Sequence, residues 1–280
     1  MVVAAVMGWA VGLLYVIVYA PCIAIALIAM PALALASIRG NGVRVSAAQL
    51  PDIHRRVHAA TQRLGLAEAP QAWVIQSGGV IESFVTWVLG KNHVVITSGM
   101  VDAVARLAPT EGPDELDFLI GRQVGRLAAN QIFARLLLLP GTFMPWIGPA
   151  WDRAMVYTAD RCGHAVTGSV DVSCRALALG ATGGRLAANV DLPRLAEQER
   201  EASTFWLAVA EINAGQPFLS RRVAALREGV EPGSAPTTPR AWWAYAIAPL
   251  FSWYAVFFAY IGVFCCCSPI LSVMLAMLEG

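Results

Sequence analysis

The chain has two long uncharged stretches with a patterned middle between them. No side chain from Met1 to Ser37 carries a charge, and none does from Ala241 to Leu278. Each stretch exceeds the roughly 20 apolar residues that cross a bilayer as a helix. Read as one straight helix, Met1 to Ala36 would be about 50 Å long at 1.5 Å per residue, against a hydrocarbon core of about 30 Å. Pro21 and Pro31 interrupt it, so a kinked single span and a hairpin broken at Pro21 both fit, while two full spans do not. The second stretch, with Pro249 and Pro269, leaves the same choice, and Trp242, Trp243 and Tyr245 mark its interfacial start. Gly229 to Pro239 is rich in Pro, Gly, Ser and Thr and reads as a linker. The predicted organisation is a membrane segment over 1–38, a central domain over 39–228, a linker over 229–240 and a second membrane segment over 241–280.

In the middle, apolar positions recur mostly at helical spacing. Leu50, Ile53, Val57, Ala60 and Leu64 predict a helix over Ser46–Leu66, closed by Gly65. Leu116, Leu119, Ile120, Val124 and Leu127 predict a buried amphipathic helix over Asp114–Asn130, with Pro113 and Asp114 suited to its first turn. Further helices are predicted at Val101–Leu107, from Trp151 onward, at Val172–Leu179 and over Leu192–Ile212. Gln131 to Leu139 is strongly apolar but too short to span a membrane. Two β-rich runs, Gln71–Gln76 and His93–Thr97, read as strands. The expected fold class is α+β, mainly helical, with a small β-sheet.

Composition agrees with a membrane-attached chain. Of 280 residues 57% are hydrophobic and 14% charged, against about 25% charged in a typical soluble domain. The net charge of +1 gives no argument for a nucleic-acid partner. Arg39, Arg44, Arg55 and Arg56 follow the first stretch, and Arg221, Arg222, Arg227 and Arg240 precede the second. By the positive-inside rule the central domain is expected on the cytoplasmic side of a bacterial-type inner (plasma) membrane. The first stretch lacks the basic n-region and short h-region of a signal peptide. Of six cysteines, Cys22, Cys265, Cys266 and Cys267 fall in the uncharged stretches, and only Cys162 and Cys174 lie in the middle. That distribution predicts reduced thiols rather than a disulfide framework.

The candidate chemistry lies on the central helix. Arg122 and Arg126 are four residues apart and share one face. Overlaid on the H-E-x-x-H motif of zinc peptidases, the run Arg122-Gln123-Val124-Gly125-Arg126 puts guanidinium where His ligands would stand and an amide where the general base would stand. Guanidinium has no lone pair for a metal and remains charged. Among the histidines, His54 and His58 lie four apart on a predicted helix, His93 opens a strand, and His164 follows Asp160 by one helical turn.

Taken in order, a set of short segments resembles the HtpX-like family of membrane-bound zinc metallopeptidases, kin of the CAAX prenyl protease, across about Leu50 to Arg227. These segments are Trp73-Val74-Ile75, then Glu82-Ser83-Phe84 where the family has Asn-Ala-Phe, then Val94 to Met100. Asp114-Glu115-Leu116 follows, before the H-E-x-x-H position. Arg153 with Tyr157, Ala159, Asp160 and Arg161 is similar to the family's Arg-x-x-Glu-Tyr-x-Ala-Asp-Arg, and Gln216-Pro217 with Arg222-Val223 to its His-Pro and Arg segment. The resemblance implies a gluzincin-like peptidase domain flanked by transmembrane helices. It also places the departures on the chemistry. Arg122 and Arg126 replace the His ligands, Gln123 the base, Val156 the Glu ligand and Gln216 the late His, while Tyr157, Asp160 and Arg222 stand as in the family.

A catalytic zinc site needs three protein ligands and an open position. On this overlay none of the three is present, so no catalytic residue and no zinc or other cofactor is expected. The family's Asp supports a His ligand; here Asp160 is expected to pair with Arg122 or Arg126, in a bidentate bridge, since an unpaired buried charge costs several kcal/mol. A variant is an anion held by Arg122, Arg126 and Arg222. The resemblance also implies that Val94, Val95, Ile96 and Thr97 form an edge strand able to take an extended peptide by strand addition.

Two functions follow as expectations. The first is a membrane-anchored pseudopeptidase, a binding or scaffold subunit whose partners are the bilayer, a membrane protein or membrane complex, and an extended peptide. The second is an active zinc endopeptidase using replacement ligands, for which His54, His58, His93 and His164 are the only histidines. A transporter reading has little support, because the uncharged stretches lack the ionisable residues that mark ion paths.

Overall fold

A computed structural model describes residues 17–18, 21–22, 25, 29–30, 32–76, 84–88, 91–107, 114–138, 147–201 and 205–227. The linker, the second uncharged stretch, Glu82, Ser83 and most of the first stretch lie outside the described residues. Among the described residues no helix is long and apolar enough to cross a membrane.

The fold is mainly helical with one small mixed sheet. Residues 32–41 are helical and lead into β1 (Val43–Arg44), α1 (Pro51–Arg63), β2 (Gln71–Ile75), β3 (Phe84–Val88) and β4 (Lys91–Thr97). The helices α2 (Ser98–Ala105), α3 (Glu115–Ala128), α4 (Gln131–Leu137), α5 (Ile147–Thr167), α6 (Val170–Thr182) and α7 (Gly184–Ala187) come next. The described chain ends with α8 (Leu192–Glu201), α9 (Phe205–Asn213) and α10 (Leu219–Arg227).

The sheet order is β1-β2-β4-β3. β1 is antiparallel to β2, β2 parallel to β4, and β3 antiparallel to β4. This corrects one expectation. Val94, Val95, Ile96 and Thr97 do not form an edge strand: Ala72 pairs with Val94 on one side, and Val85 with the same residue on the other. The displacing strand is Phe84–Val88, whose β-branched and aromatic residues favour an extended pleated surface; β3 is therefore the edge. β4 is covered on both faces and reads accordingly as a continuous apolar run. Val94 and Ile96 join the main core under the helices, while Val95 packs with Trp73 and Ile38 on the opposite face. Ile38 thus ties the end of the first uncharged stretch to the sheet.

Helix α1 begins five residues later than its apolar spacing predicts. Ser46 and Gln49 close a turn on each other, Leu50 takes φ 60 as N-cap, and Pro51 opens the helix where its missing N–H costs nothing. The buried stripe is Ile53, Val57, Ala60 and Thr61.

The central helix α3 is fixed at its start by a capping box. The Asp114 carboxylate accepts from Leu116 N at 2.9 Å and Asp117 N at 3.2 Å, and Asp117 Oδ2 accepts from Asp114 N at 2.9 Å. Arg56 Nη1 on α1 reaches both carboxylates at 2.7 Å. Along its length α3 buries Leu116, Phe118, Leu119, Ile120, Val124 and Leu127, and it lies unusually close to α5. A Cβ at Gly125 would fall inside the Cys162 side chain, and one at Gly163 would stand 2.8 Å from the Phe118 carbonyl and from Arg122 Cγ. Two glycines, one on each helix, therefore set the distance between the elements that carry the candidate chemistry.

The remaining junctions are polar and specific. Glu115 on α3, almost fully buried, receives Arg175 Nε of α6 at 2.7 Å. Arg153 on α5 donates through Nη1 to the carbonyls of Glu211, Ile212 and Ala214 at 2.7, 2.9 and 2.7 Å. These close the C-terminal end of α9, where carbonyls lack intrahelical partners.

Candidate functional site

The close approach of α3 and α5 brings Arg122 against Asp160, and α10 supplies Arg222 from the far side. Asp160 is 2% exposed. Arg222 grips it with both prongs, Nε to Oδ2 at 2.7 Å and Nη2 to Oδ1 at 2.8 Å. Arg122 Nε stands 2.7 Å from Oδ1, yet its N–H is not aligned on the oxygen, so that Nε is left without a hydrogen bond. The bidentate contact thus comes from α10 and not from α3. Planar guanidinium and carboxylate suit this two-pronged pairing. The Arg122 head also lies over the Phe118 ring, 5.9 Å from its centroid. Burial pulls the Arg122 pKa down to about 10, with Arg222 and Arg126 adding to the fall and Asp160 opposing it. Arg122 is still a cation at neutral pH, held there at an electrostatic cost.

Two cavities of about 340 Å³ each flank this cluster. The first lies among α2, α3, α5, α6 and α10; Arg122, Gln123, Arg126, Val156, Gln216 and Arg222 line it together with Met100, Leu119, Leu177 and Leu219. The second is lined by Val85 of the edge strand, Arg126, Gln131, Trp151, Asp152, Met155, Val156, Gly215 and Gln216. Arg126, Val156 and Gln216 belong to both, so these three side chains sit where the cavities meet. Val156 is buried, and so is Gln123, whose Oε1 has no hydrogen-bond partner.

The other sequence candidates lie elsewhere. His54 and His58 stack with ring centroids 4.3 Å apart on α1. His93 is fully buried in the sheet. His164 Nδ1 meets Ser173 Oγ at 3.2 Å. None of the four lines either cavity. Among the described residues no three His, Cys, Asp or Glu side chains are gathered as a metal site would need. Arg122, Gln123, Arg126 and Val156 offer two guanidinium groups, an amide and a hydrocarbon, a set that does not fit zinc. Burial pushes the Cys174 thiol up to about 11 and also raises Cys162, so neither is poised as a thiolate.

Sequence reasoning missed three parts of this site. The edge strand β3, Phe-Val-Thr-Trp-Val, is a β-rich run in which no element is predicted from sequence. Trp151 and Asp152 of the second cavity carried no motif. The dominant hold of Arg222 on Asp160 spans 62 residues and has no local signal. No family model, curated protein or solved structure matches the chain.

Proposed function

We propose that this chain is a membrane-anchored, catalytically silent relative of the HtpX-like zinc endopeptidases, acting as a binding or scaffold subunit for a membrane protein or membrane assembly. The observation that carries the reading is the ion cluster of Arg122, Asp160 and Arg222 at the position where the resemblance would put a metal and its base. Hydrolysis of a peptide by such a domain requires a Lewis acid and a group that takes a proton from water. Guanidinium supplies neither, and the Gln123 amide cannot act as a base near neutral pH. The two cavities beside the cluster, with β3 at the rim of one, support retention of a binding groove after loss of the chemistry. The apolar, small-residue-rich stretches at either end suit helix packing in lipid.

The decisive measurement is metal analysis of the purified full chain together with casein hydrolysis. The expected result is substoichiometric zinc and no cleavage, and a specific membrane protein retained on pull-down from native membrane. Stoichiometric zinc with casein cleavage would replace this reading by the active endopeptidase.

A further inference from the structure

The first uncharged stretch ends against one face of the sheet. Within it Ile17, Val18, Ile25, Met30 and Leu33 are large, apolar and exposed. Arg39, the first charged residue of the chain, comes one and a half helical turns after Leu33, about 9 Å along the axis at 1.5 Å per residue. Its neighbour Ile38 packs on Trp73 and Val95, on the sheet face turned away from the main core.

Two more cations border that face. Arg44 on β1 stands opposite Trp73 on β2, and directly opposed side chains of paired strands share a face. Lys91 opens β4, where alternation puts it on the side of His93 and Val95. The charges on Arg39 and Lys91 are both felt at His93, so these two cations stand around one corner of the sheet. Arg39, Arg44 and Lys91 are all exposed. Among the described residues none of the three side chains is paired with a carboxylate. The first acid in the sequence, Asp52, is held by Arg55 and Arg56.

An exposed apolar helix that ends in unpaired cations suits a passage from hydrocarbon to a negatively charged surface, with Lys and Arg at the level of the headgroups. An acidic protein would match the cations but not the apolar run that leads to them. We propose that Arg39, Arg44 and Lys91 form a shelf that binds the headgroups of anionic phospholipids and seats the Trp73–Val95 face of the sheet toward the bilayer. The inference rests on the membrane-anchored reading and names the lipid class and the face that meets it.

The test is electron spin resonance of the full chain reconstituted in phosphatidylcholine vesicles, with a trace of either spin-labelled phosphatidylglycerol or spin-labelled phosphatidylcholine. The motionally restricted fraction gives the relative affinity of the two lipids. Phosphatidylglycerol should be preferred by about fivefold, the strength of one Lys or Arg at an anionic surface. Raising NaCl to about 0.5 M should remove most of the preference, because exposed charges are screened. The triple variant Arg39→Gln, Arg44→Gln, Lys91→Gln should bring the ratio to about one. Arg63→Gln with Arg185→Gln, exposed cations on α1 and α7, should keep it. Melting temperatures in detergent report whether each variant is folded, and the salt series needs no variant. Equal affinity of wild type for the two lipids overturns the proposal, as does a preference that the triple variant keeps or the control pair loses. Displacement by inorganic phosphate beyond that by NaCl at the same ionic strength overturns it in favour of a free-anion site. Flotation with the vesicles reports anchoring separately. A chain that floats but shows no preference sinks this inference alone, and one that does not float sinks the membrane anchor as well.

Discussion

Helix α3 meets two arginine–carboxylate clusters of different character, one rich in acids and one rich in arginines. At its N-terminus Arg56 meets three acids, Asp52, Asp114 and Asp117, the first of which it shares with Arg55. Two turns along, among the described residues, Asp160 is shared between Arg122 and Arg222 with Arg126 close by. The first arrangement agrees with local physics at every point. Acids at a helix N-terminus face the positive end of the macrodipole, Asp114 and Asp117 also cap it, and the pairs are partly open to water. The second has no such support. It sits mid-helix, the acid it shares, Asp160, is buried, and burial works against the charge on Arg122. A cluster that costs stability and adjoins cavities is better accounted for by what it binds than by what it holds together.

Removing the acid from the second cluster should produce the largest effect. Asp160→Asn keeps the shape but leaves two nearly buried guanidinium groups without their shared counter-charge, at a cost of about 3–5 kcal/mol. Thermal unfolding should fall by roughly 10 °C, given the 2–4 °C per kcal/mol typical of a domain this size. Arg122→Met in the same background should recover part of the loss. A shift under about 2 °C for Asp160→Asn would mean that water screens the cluster, and the contrast between the two ends of α3 would fail.

The first cluster should respond more modestly. Asp114→Ala removes the side-chain acceptor for Leu116 N and Asp117 N and one contact of Arg56. Loss of such a cap costs about 1 kcal/mol, up to about 2, or a few degrees by the same conversion. Equal losses for Asp114→Ala and Asp160→Asn would erase the distinction between a screened capping network and a buried ion cluster.

The two clusters also differ in how far the amino-acid order announces them. The apolar stripe of α3 and an acid at its start are local patterns, and so the helix and its first turn were legible from Leu116, Leu119, Ile120, Val124 and Leu127 with Asp114. The pairing of Arg56 with Asp114 and Asp117, across about 60 residues, was not. Arg122 and Asp160 were connected only through resemblance, which aligns positions but says nothing of competing partners; hence the two-pronged role of Arg222 was misassigned to α3. The sheet shows the same limit. His93–Thr97 is recognisable as a strand by its β-branched run, but whether it is central or an edge depends on what pairs beside it. The Gly125–Cys162 and Gly163–Phe118 approaches are invisible in either segment alone, because a glycine's use in close packing exists only when the opposing helix is in place.

The smallest expected effect concerns a buried polar group that neither cluster reaches. His93 is fully buried on β4, and neither ring nitrogen has a hydrogen-bond partner. On the same face of the sheet, Trp73 Nε1 and Thr97 Oγ1 are likewise unpartnered. Burial lowers the His93 pKa from 6.5, and the charges on Arg39 and Lys91 lower it further. The folded chain therefore binds this proton less readily than the unfolded chain. Stability from the neutral ring is fully present above the unfolded pKa near 6.5 and is lost as the pH falls from there through the depressed folded value. Unfolding midpoints measured from pH 8 down to pH 5 should decline in this window, and His93→Met should flatten the decline. The variant should match or exceed wild type at pH 5, because a sulfur side chain needs no hydrogen-bond partner in that site. Should His93→Met instead lose stability equally at pH 8 and pH 5, the ring is a packing element whose charge state is immaterial.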